Sequence, residues 1–231
     1  MNLTKDQRSL MERIINTAET GKAEGNYAAI SIYADGPHDI KQITYGRSQT
    51  TEYGNLRKLV KMYVAANGTL SAALALYAEK VGSVPLTDNA DFKNLLRSAG
   101  KNDPVMRIIQ DQFFEETYFS PAIKWADVNG FTKALSALVV YDSYIHSGSI
   151  LWVIRQKFDE NTPAFGGDEK KWISEYTKAR NDWLLNHQRP AVQASAYRTK
   201  AYLSQIEKEN WDLSIFPINM NGTNVTPAGN G

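Results

Sequence analysis

Residues 19 to 56 read ETGKAEGNYAAISIYADGPHDIKQITYGRSQTTEYGNL, and this stretch decides the fold. A helix reaches a carboxylate, Glu19, just before Gly21. Ala29 to Ala34 alternates Ile30, Ile32 and Ala34 against Ser31 and Tyr33, which is strand periodicity. Asp35-Gly36-Pro37 is a turn signal. A second strand, Ile40 to Arg47, carries Thr44 and Gly46, and the polar run GRSQTTEYGN leads into the next helix. One carboxyl thus stands at a helix end and another at the rim of a short hairpin. Such an arrangement is one way to set two carboxyls on opposite sides of a cleft, as glycoside hydrolysis requires.

The two carboxyls need different surroundings. A general acid must hold its proton, which burial and the negative end of a helix favour. Ile15 and Ala18 give Glu19 a partly apolar setting. The partner carboxylate must stay ionised, and a solvated turn suits it; Asp35 and Asp39 both qualify. The same residues also read as an ordinary helix end and turn formers, so the rest of the chain must decide.

Helices dominate outward from this stretch. Thr4 to Gln7 is a capping box, and Leu10, Ile14 and Ala18 share a face of the helix it opens. Further helices are expected over 56–64, 69–80, 91–99 (ended by Gly100), from Pro104 to about Thr117, from Pro121, and over 131–146, 150–158, 169–186 and 190–209. The centre of the 131–146 segment, ALSALVVYDSYIH, is apolar all round and reads as a buried central helix. Asp142 inside it is costly unless paired. Arg180, in phase with Tyr176 and Trp183, and Arg198, beside Tyr197, are its natural partners, which gives an Asp142–Arg180–Arg198 network.

The 231 residues, 42% hydrophobic and 11% aromatic, suit one large domain or two joined lobes. A net charge of +1 gives no case for nucleic-acid or membrane partners. Without cysteine there is no disulfide or thiolate metal site. His38, His146 and His187 have no metal-ligand spacing, and neither a P-loop nor a dinucleotide fingerprint occurs, so no metal and no cofactor is expected. No membrane span and no signal peptide is visible. The organisation expected is a catalytic domain over 1–217 and a surface or disordered tail over 218–231, rich in Asn, Gly and Thr.

In order and spacing these segments resemble glycoside hydrolase family 46, the chitosanases, within the lysozyme-like group. Ala18-Glu19 resembles the catalytic-acid position. Asp35-Gly36, the hairpin and Thr44 resemble the catalytic-base turn and the threonine that positions water. Tyr53-Gly54-Asn55-Leu56 is similar to the start of the substrate-binding helix. Gln110 through Tyr118-Phe119-Ser120-Pro121-Ala122, Val140-Tyr141-Asp142 with His146-Ser147-Gly148, and Ala179-Arg180 with Arg198 are similar to further family segments.

The resemblance implies an α+β, mostly helical, lysozyme-like fold, with two helical lobes and a small hairpin flanking a cleft. It implies an endo-acting, inverting hydrolase of β-1,4-linked glucosamine polymers, with Glu19 as acid, Asp35 as base (Asp39 the alternative, five residues before Thr44) and Thr44 holding the water. Arg198 would couple Glu19 to Asp142 and Arg180. Arg47, Gln49, Thr51, Glu52, Tyr53 and Asn55 are candidate sugar-subsite residues. Asn55 departs from the family's carboxylate there; Glu52 compensates, or the substrate is N-acetylated. A secreted monomer acting on a polysaccharide is expected. The competing readings are a lysozyme-like peptidoglycan hydrolase of a phage or secretion system and a catalytically silent glycan-binding relative.

Overall fold

The structure, a computed structural model, describes residues 1–47 and 49–228. The chain divides into two compact units, residues 1–18 with 116–231 and residues 19–115.

The first helix, α1 (Lys5–Thr20), opens with the expected capping box. The Gln7 N–H donates to Thr4 Oγ1 (3.1 Å) and the Thr4 N–H to Gln7 Oε1 (2.9 Å). The unit boundary falls in its last turn, so Glu19 opens the 19–115 unit.

That unit begins with an antiparallel sheet of β1 (Ile30–Tyr33), β2 (Gln42–Tyr45) and β3 (Thr50–Thr51), in that order. Tyr33 pairs with Gln42, Ser31 with Thr44, and Thr44 with Thr51. Both strands are shorter than the alternation predicts, because the chain leaves the ladder for a tight turn between them. Central β2 is buried throughout, whereas edge strand β1 leaves Ile32 and Tyr33 exposed. Ile43 and Tyr45 sit on the same sheet face and are fully buried, and the Tyr45 hydroxyl donates to the Leu96 carbonyl (2.7 Å). Helices α2 (Leu56–Ala65), α3 (Ser71–Ala75), α4 (Ala90–Asn102) and α5 (Pro104–Phe114) complete the unit, with α2 packed on α3 and α5. Gly100 lies inside α4 instead of ending it. A Cβ there would stand 2.1 Å from the Tyr27 carbonyl oxygen, so the glycine serves a close approach.

The other unit continues after a π-helical turn over Glu115–Phe119 with α6 (Ser120–Val128), α7 (Ala134–Ser147), α8 (Trp152–Arg155), α9 (Glu169–Leu185), α10 (Pro190–Gln193) and α11 (Tyr197–Glu207). Helix α7 is the buried centre, with every residue from Ala134 to Ser143 out of solvent. Its start is capped from another helix. Glu169 accepts from the N–H groups of Thr132 (3.0 Å) and Lys133 (2.8 Å) and from the Ser136 hydroxyl (2.7 Å), a carboxylate at a helix N-terminus. Trp125, Phe131, Phe158, Trp172 and Tyr176 form an aromatic cluster in this unit. The segment after Pro217 is not a surface tail through Val225. It forms the hairpin β4 (Ile218–Met220) and β5 (Thr223–Val225), and Ile218, Met220 and Val225 are fully buried. The alternation Ile218, Met220 was the overlooked signal. Residues 229–231 of the expected tail lie outside the described residues.

Candidate active site

The Asp35 turn is built by backbone bonds. The Gly36 N–H donates to the Ile40 carbonyl (3.0 Å) and the Asp39 N–H to the Gly36 carbonyl (3.0 Å), while His38 and Asp39 take left-handed φ of 55° and 58°. Glycine is required at 36 by space: a Cβ would lie 2.9 Å from the Ile40 carbonyl oxygen and 3.3 Å from Tyr53 Cδ2. Asp35 and Asp39 are both exposed. Asp35 is anchored: Gln42 Nε2 donates to its Oδ1 (2.9 Å), and the Gln42 Oε1 accepts from the Tyr53 N–H (3.2 Å). Gln42 itself is buried.

Gln42 and Thr44 are two residues apart on β2 and face the same side of the sheet. The ladder puts Ser31 and Thr51 there as well. Thr44 is 6% exposed, and its Oγ1 is buried with no hydrogen-bond partner in the protein. Its hydroxyl therefore takes no part in the hydrogen bonding that holds the sheet among the described residues. Gln49 accepts from the Ser31 hydroxyl (3.1 Å) and donates to the Gly46 carbonyl (3.0 Å). Thr51, Tyr53 and Asn55 are partly exposed, Tyr53 against the Asp35 turn and Asn55 just ahead of α2.

Two expected subsite residues are corrected. Glu52 is fully buried, its Oε2 accepting from the Ile43 N–H (3.0 Å) and its Oε1 from the Leu86 N–H (2.7 Å). It lies on the core side of the sheet, out of reach of a sugar. Arg47 is 5% exposed and ion-paired with Asp111, its guanidinium 4.6 Å from the Phe114 ring centre. Its N–H donates to Gln110 Oε1 (3.0 Å), and Gln110 Nε2 donates to the Tyr27 carbonyl (2.8 Å). Buried Gln110 thus fastens two loop segments to α5.

Glu19 sits half-buried in the last turn of α1, one turn after fully buried Ile15. The carbonyl of Ala18, the residue before it, accepts from the Tyr197 hydroxyl (2.7 Å).

In the other unit Asp142 is fully buried and accepts from Arg180 Nη1 on Oδ2 and from Arg198 Nη1 on Oδ1, both at 2.7 Å. Burial alone would raise its pKa. Arg198 and then Arg180 outweigh that and hold the carboxyl well below the usual carboxylate range. His146, one turn further on, is pushed down to about 3 by burial and by the same two guanidiniums. Sequence reading placed the triad but not His146 in its field. It also missed Gln42, whose signal was its place two residues before Thr44 on the second strand. Among the described residues no group of three His, Asp or Glu is arranged to hold a metal.

The sequence profile of glycosyl hydrolase family 46 matches residues 13–218. The chitosanase of Bacillus subtilis strain 168 is 29% identical over 230 aligned residues, covering 92% of this chain and 81% of the relative. Among solved structures, native chitosanase from Bacillus subtilis MY002 superposes with a TM-score of 0.83 at 24% identity, covering 98% of this chain and all of the other. The Gynuella sunshinyii family 46 chitosanase in complex with chitotetraose gives 0.84 at 23% identity, with the same coverage.

Proposed function

The chain belongs to glycosyl hydrolase family 46, and from that premise we propose that it is an endo-acting chitosanase that inverts the anomeric centre. The observation that carries the reading is the face of the small sheet that bears Gln42 and Thr44, at the exposed Asp35 turn. Asp35 is exposed there and held by a buried amide, on the same side as a buried threonine hydroxyl with no protein partner.

In this reading Asp35 is the general base, and Thr44 Oγ1 orients the water that it deprotonates. Glu19 protonates the departing glycosidic oxygen. Inversion leaves roughly 6.5–9.5 Å between the carboxyls for that water. The Gln42 Nε2 bond to Asp35 Oδ1 supports Asp35 as the base, with Asp39 the alternative. Tyr53, with its ring against the Asp35 turn, is proposed to stack on a sugar, and Gln49, Thr51 and Asn55 to line subsites. The polymer is outside cells, so the enzyme is proposed to act there, as a monomer. Relatives named chitosanases, one solved with chitotetraose, support the substrate class.

One observation favours a second reading of substrate preference. Asn55 offers no charge to a glucosamine ammonium, and Glu52 is buried and cannot supply it. Partly N-acetylated segments are therefore proposed to be tolerated.

The test compares wild type with Glu19→Gln, Asp35→Asn and Asp39→Asn on chitosans of graded acetylation and on peptidoglycan, with NMR of the first-formed anomer. The expected result is the α-anomer from chitosan, and losses of about 10²–10⁴-fold for Glu19→Gln and Asp35→Asn only. Cleavage of peptidoglycan alone overturns the substrate class. Retained activity in Glu19→Gln overturns the mechanism. Binding of chitosan without turnover by wild type establishes a glycan-binding relative instead.

A further inference from the structure

We propose that Gln42 is a positioning residue for the reaction, setting the direction of the Asp35 carboxylate and tying it to the loop that carries Tyr53. The proposal rests on Asp35 as the general base.

Three observations carry it. First, the residue is fixed. Gln42 is 5% exposed, lies on the central strand, and is paired through the ladder with Tyr33. Second, its amide has only one orientation open to it. The Tyr53 N–H can only donate, so the side-chain oxygen must face it (3.2 Å). The amide nitrogen is therefore turned to Asp35, where it donates to Oδ1 (2.9 Å). A flipped amide would set N–H against N–H at one end and oxygen against carboxylate at the other. Third, the bond is made to one carboxylate oxygen only. Oδ2 is left without a protein partner among the described residues, which suits an oxygen that must take a proton from water.

A neutral donor is the appropriate choice here. A guanidinium in its place would favour the charged carboxylate far more and blunt its basicity. The amide fixes direction at little electrostatic cost, and orientation of a reacting group is worth a large factor in rate. Gln42 also shares its sheet face with Thr44, so one strand presents both the group that aims the base and the hydroxyl assigned to the water.

The same amide reaches Tyr53, whose ring stands at the Asp35 turn; a Cβ on Gly36 would be 3.3 Å from it. The base and the proposed stacking residue are thus held from one side chain.

The test uses the full chain with Gln42→Leu and Gln42→Glu on chitosan, following kcat, KM, the pH profile of kcat/KM and the melting temperature. Leucine fills the space and removes both bonds. The expected result is a fall in kcat of about 10- to 100-fold with KM within about twofold. Glutamate keeps the acceptor for the Tyr53 N–H but sets a second carboxyl against Asp35. Like charges at hydrogen-bond distance resist double ionisation, so the acid limb of kcat/KM moves to higher pH by about one unit. His38, Asp39 and Lys41 on the same turn, and Glu52 and Tyr53 beyond β3, are unchanged in both enzymes, so the difference reports position 42.

A purely structural role would lower the melting temperature and leave the acid limb in place, and that result overturns the proposal. So does a wild-type kcat in Gln42→Leu. If leucine prevents folding, the nearly isosteric glutamate variant decides alone. Full activity in Asp35→Asn shows instead that the base assignment fails, whereas an inactive Asp35→Asn beside an active Gln42→Leu removes only Gln42.

Discussion

Asp35 and Asp142 are the same side chain in opposite settings. Asp35 lies exposed on a tight turn and is held by one neutral amide at 2.9 Å. Asp142 lies inside α7, fully buried, with a guanidinium on each oxygen at 2.7 Å. The base role proposed for Asp35 requires access to water and a weak hold. A carboxylate clamped between two cations in a dry interior has neither, and its work is to hold helices α7, α9 and α11 together. The contrast predicts that the two positions fail in different assays. Asp142→Asn leaves two buried guanidiniums short of charge and destabilises the chain by about 3–5 kcal/mol, read from urea unfolding. Asp35→Asn reduces turnover by about 10²–10⁴-fold and leaves the urea midpoint unchanged. A stable Asp142→Asn, or an unfolded Asp35→Asn, breaks the comparison.

The two aspartates were not equally legible. Asp142 announced itself as a charge in an apolar helix, and the helical phase of Arg180 beside Tyr176 and Trp183 named a partner, because burial of an ion pair follows periodicity. Asp35 was legible as a turn former before a glycine, but its anchor was not. Gln42 reads as an ordinary polar strand residue until the ladder shows which neighbours it meets. Glu52 misled for the same reason. Charge suggested a sugar contact, whereas strand parity turns it to the core, where two backbone N–H groups need an acceptor. Helical periodicity marks most of the helices, yet Gly100 reads as a stop, since the Tyr27 carbonyl that excludes a Cβ there comes from far along the chain. The buried C-terminal hairpin was hidden by its polar, glycine-containing composition.

The pH dependence of stability sharpens the same contrast. Asp142 has a lowered folded-state pKa, so its contribution is complete above its ordinary value of 3.8 and is lost as the pH falls below it through the folded value. His146 acts in a higher window. Burial, Arg198 and Arg180 lower its pKa from 6.5 to about 3, with His187 adding to this and Asp142 opposing it. Between those values the unfolded chain takes up a proton that the folded chain refuses, so stability declines as pH falls from 6.5 toward 3. Urea midpoints at pH 7, 5.5 and 4.5 should fall in wild type and fall less steeply in His146→Gln. An equal slope in the variant shows that other groups carry the acid sensitivity.

The smallest effects concern two hydroxyls, one used by the protein and one not. The Tyr176 hydroxyl donates to Ser143 Oγ at 2.9 Å within the α7–α9 interface, and Ser143 in turn donates to the Val139 carbonyl (2.8 Å). Thr44 Oγ1 is equally buried and has no protein partner. Thr44→Val keeps the shape and the β-branch and removes a hydroxyl on which the fold does not draw. The expected outcome, on the proposed role of Thr44 in orienting the attacking water, is an unchanged melting temperature with turnover down about tenfold or more. Tyr176→Phe removes a satisfied bond, costs about 1 kcal/mol of stability and leaves turnover intact. If Thr44→Val instead loses stability and keeps its rate, the hydroxyl belongs to the scaffold. The proposed role of Thr44 in orienting the attacking water then fails, and only the proposed role of Asp35 is left for it.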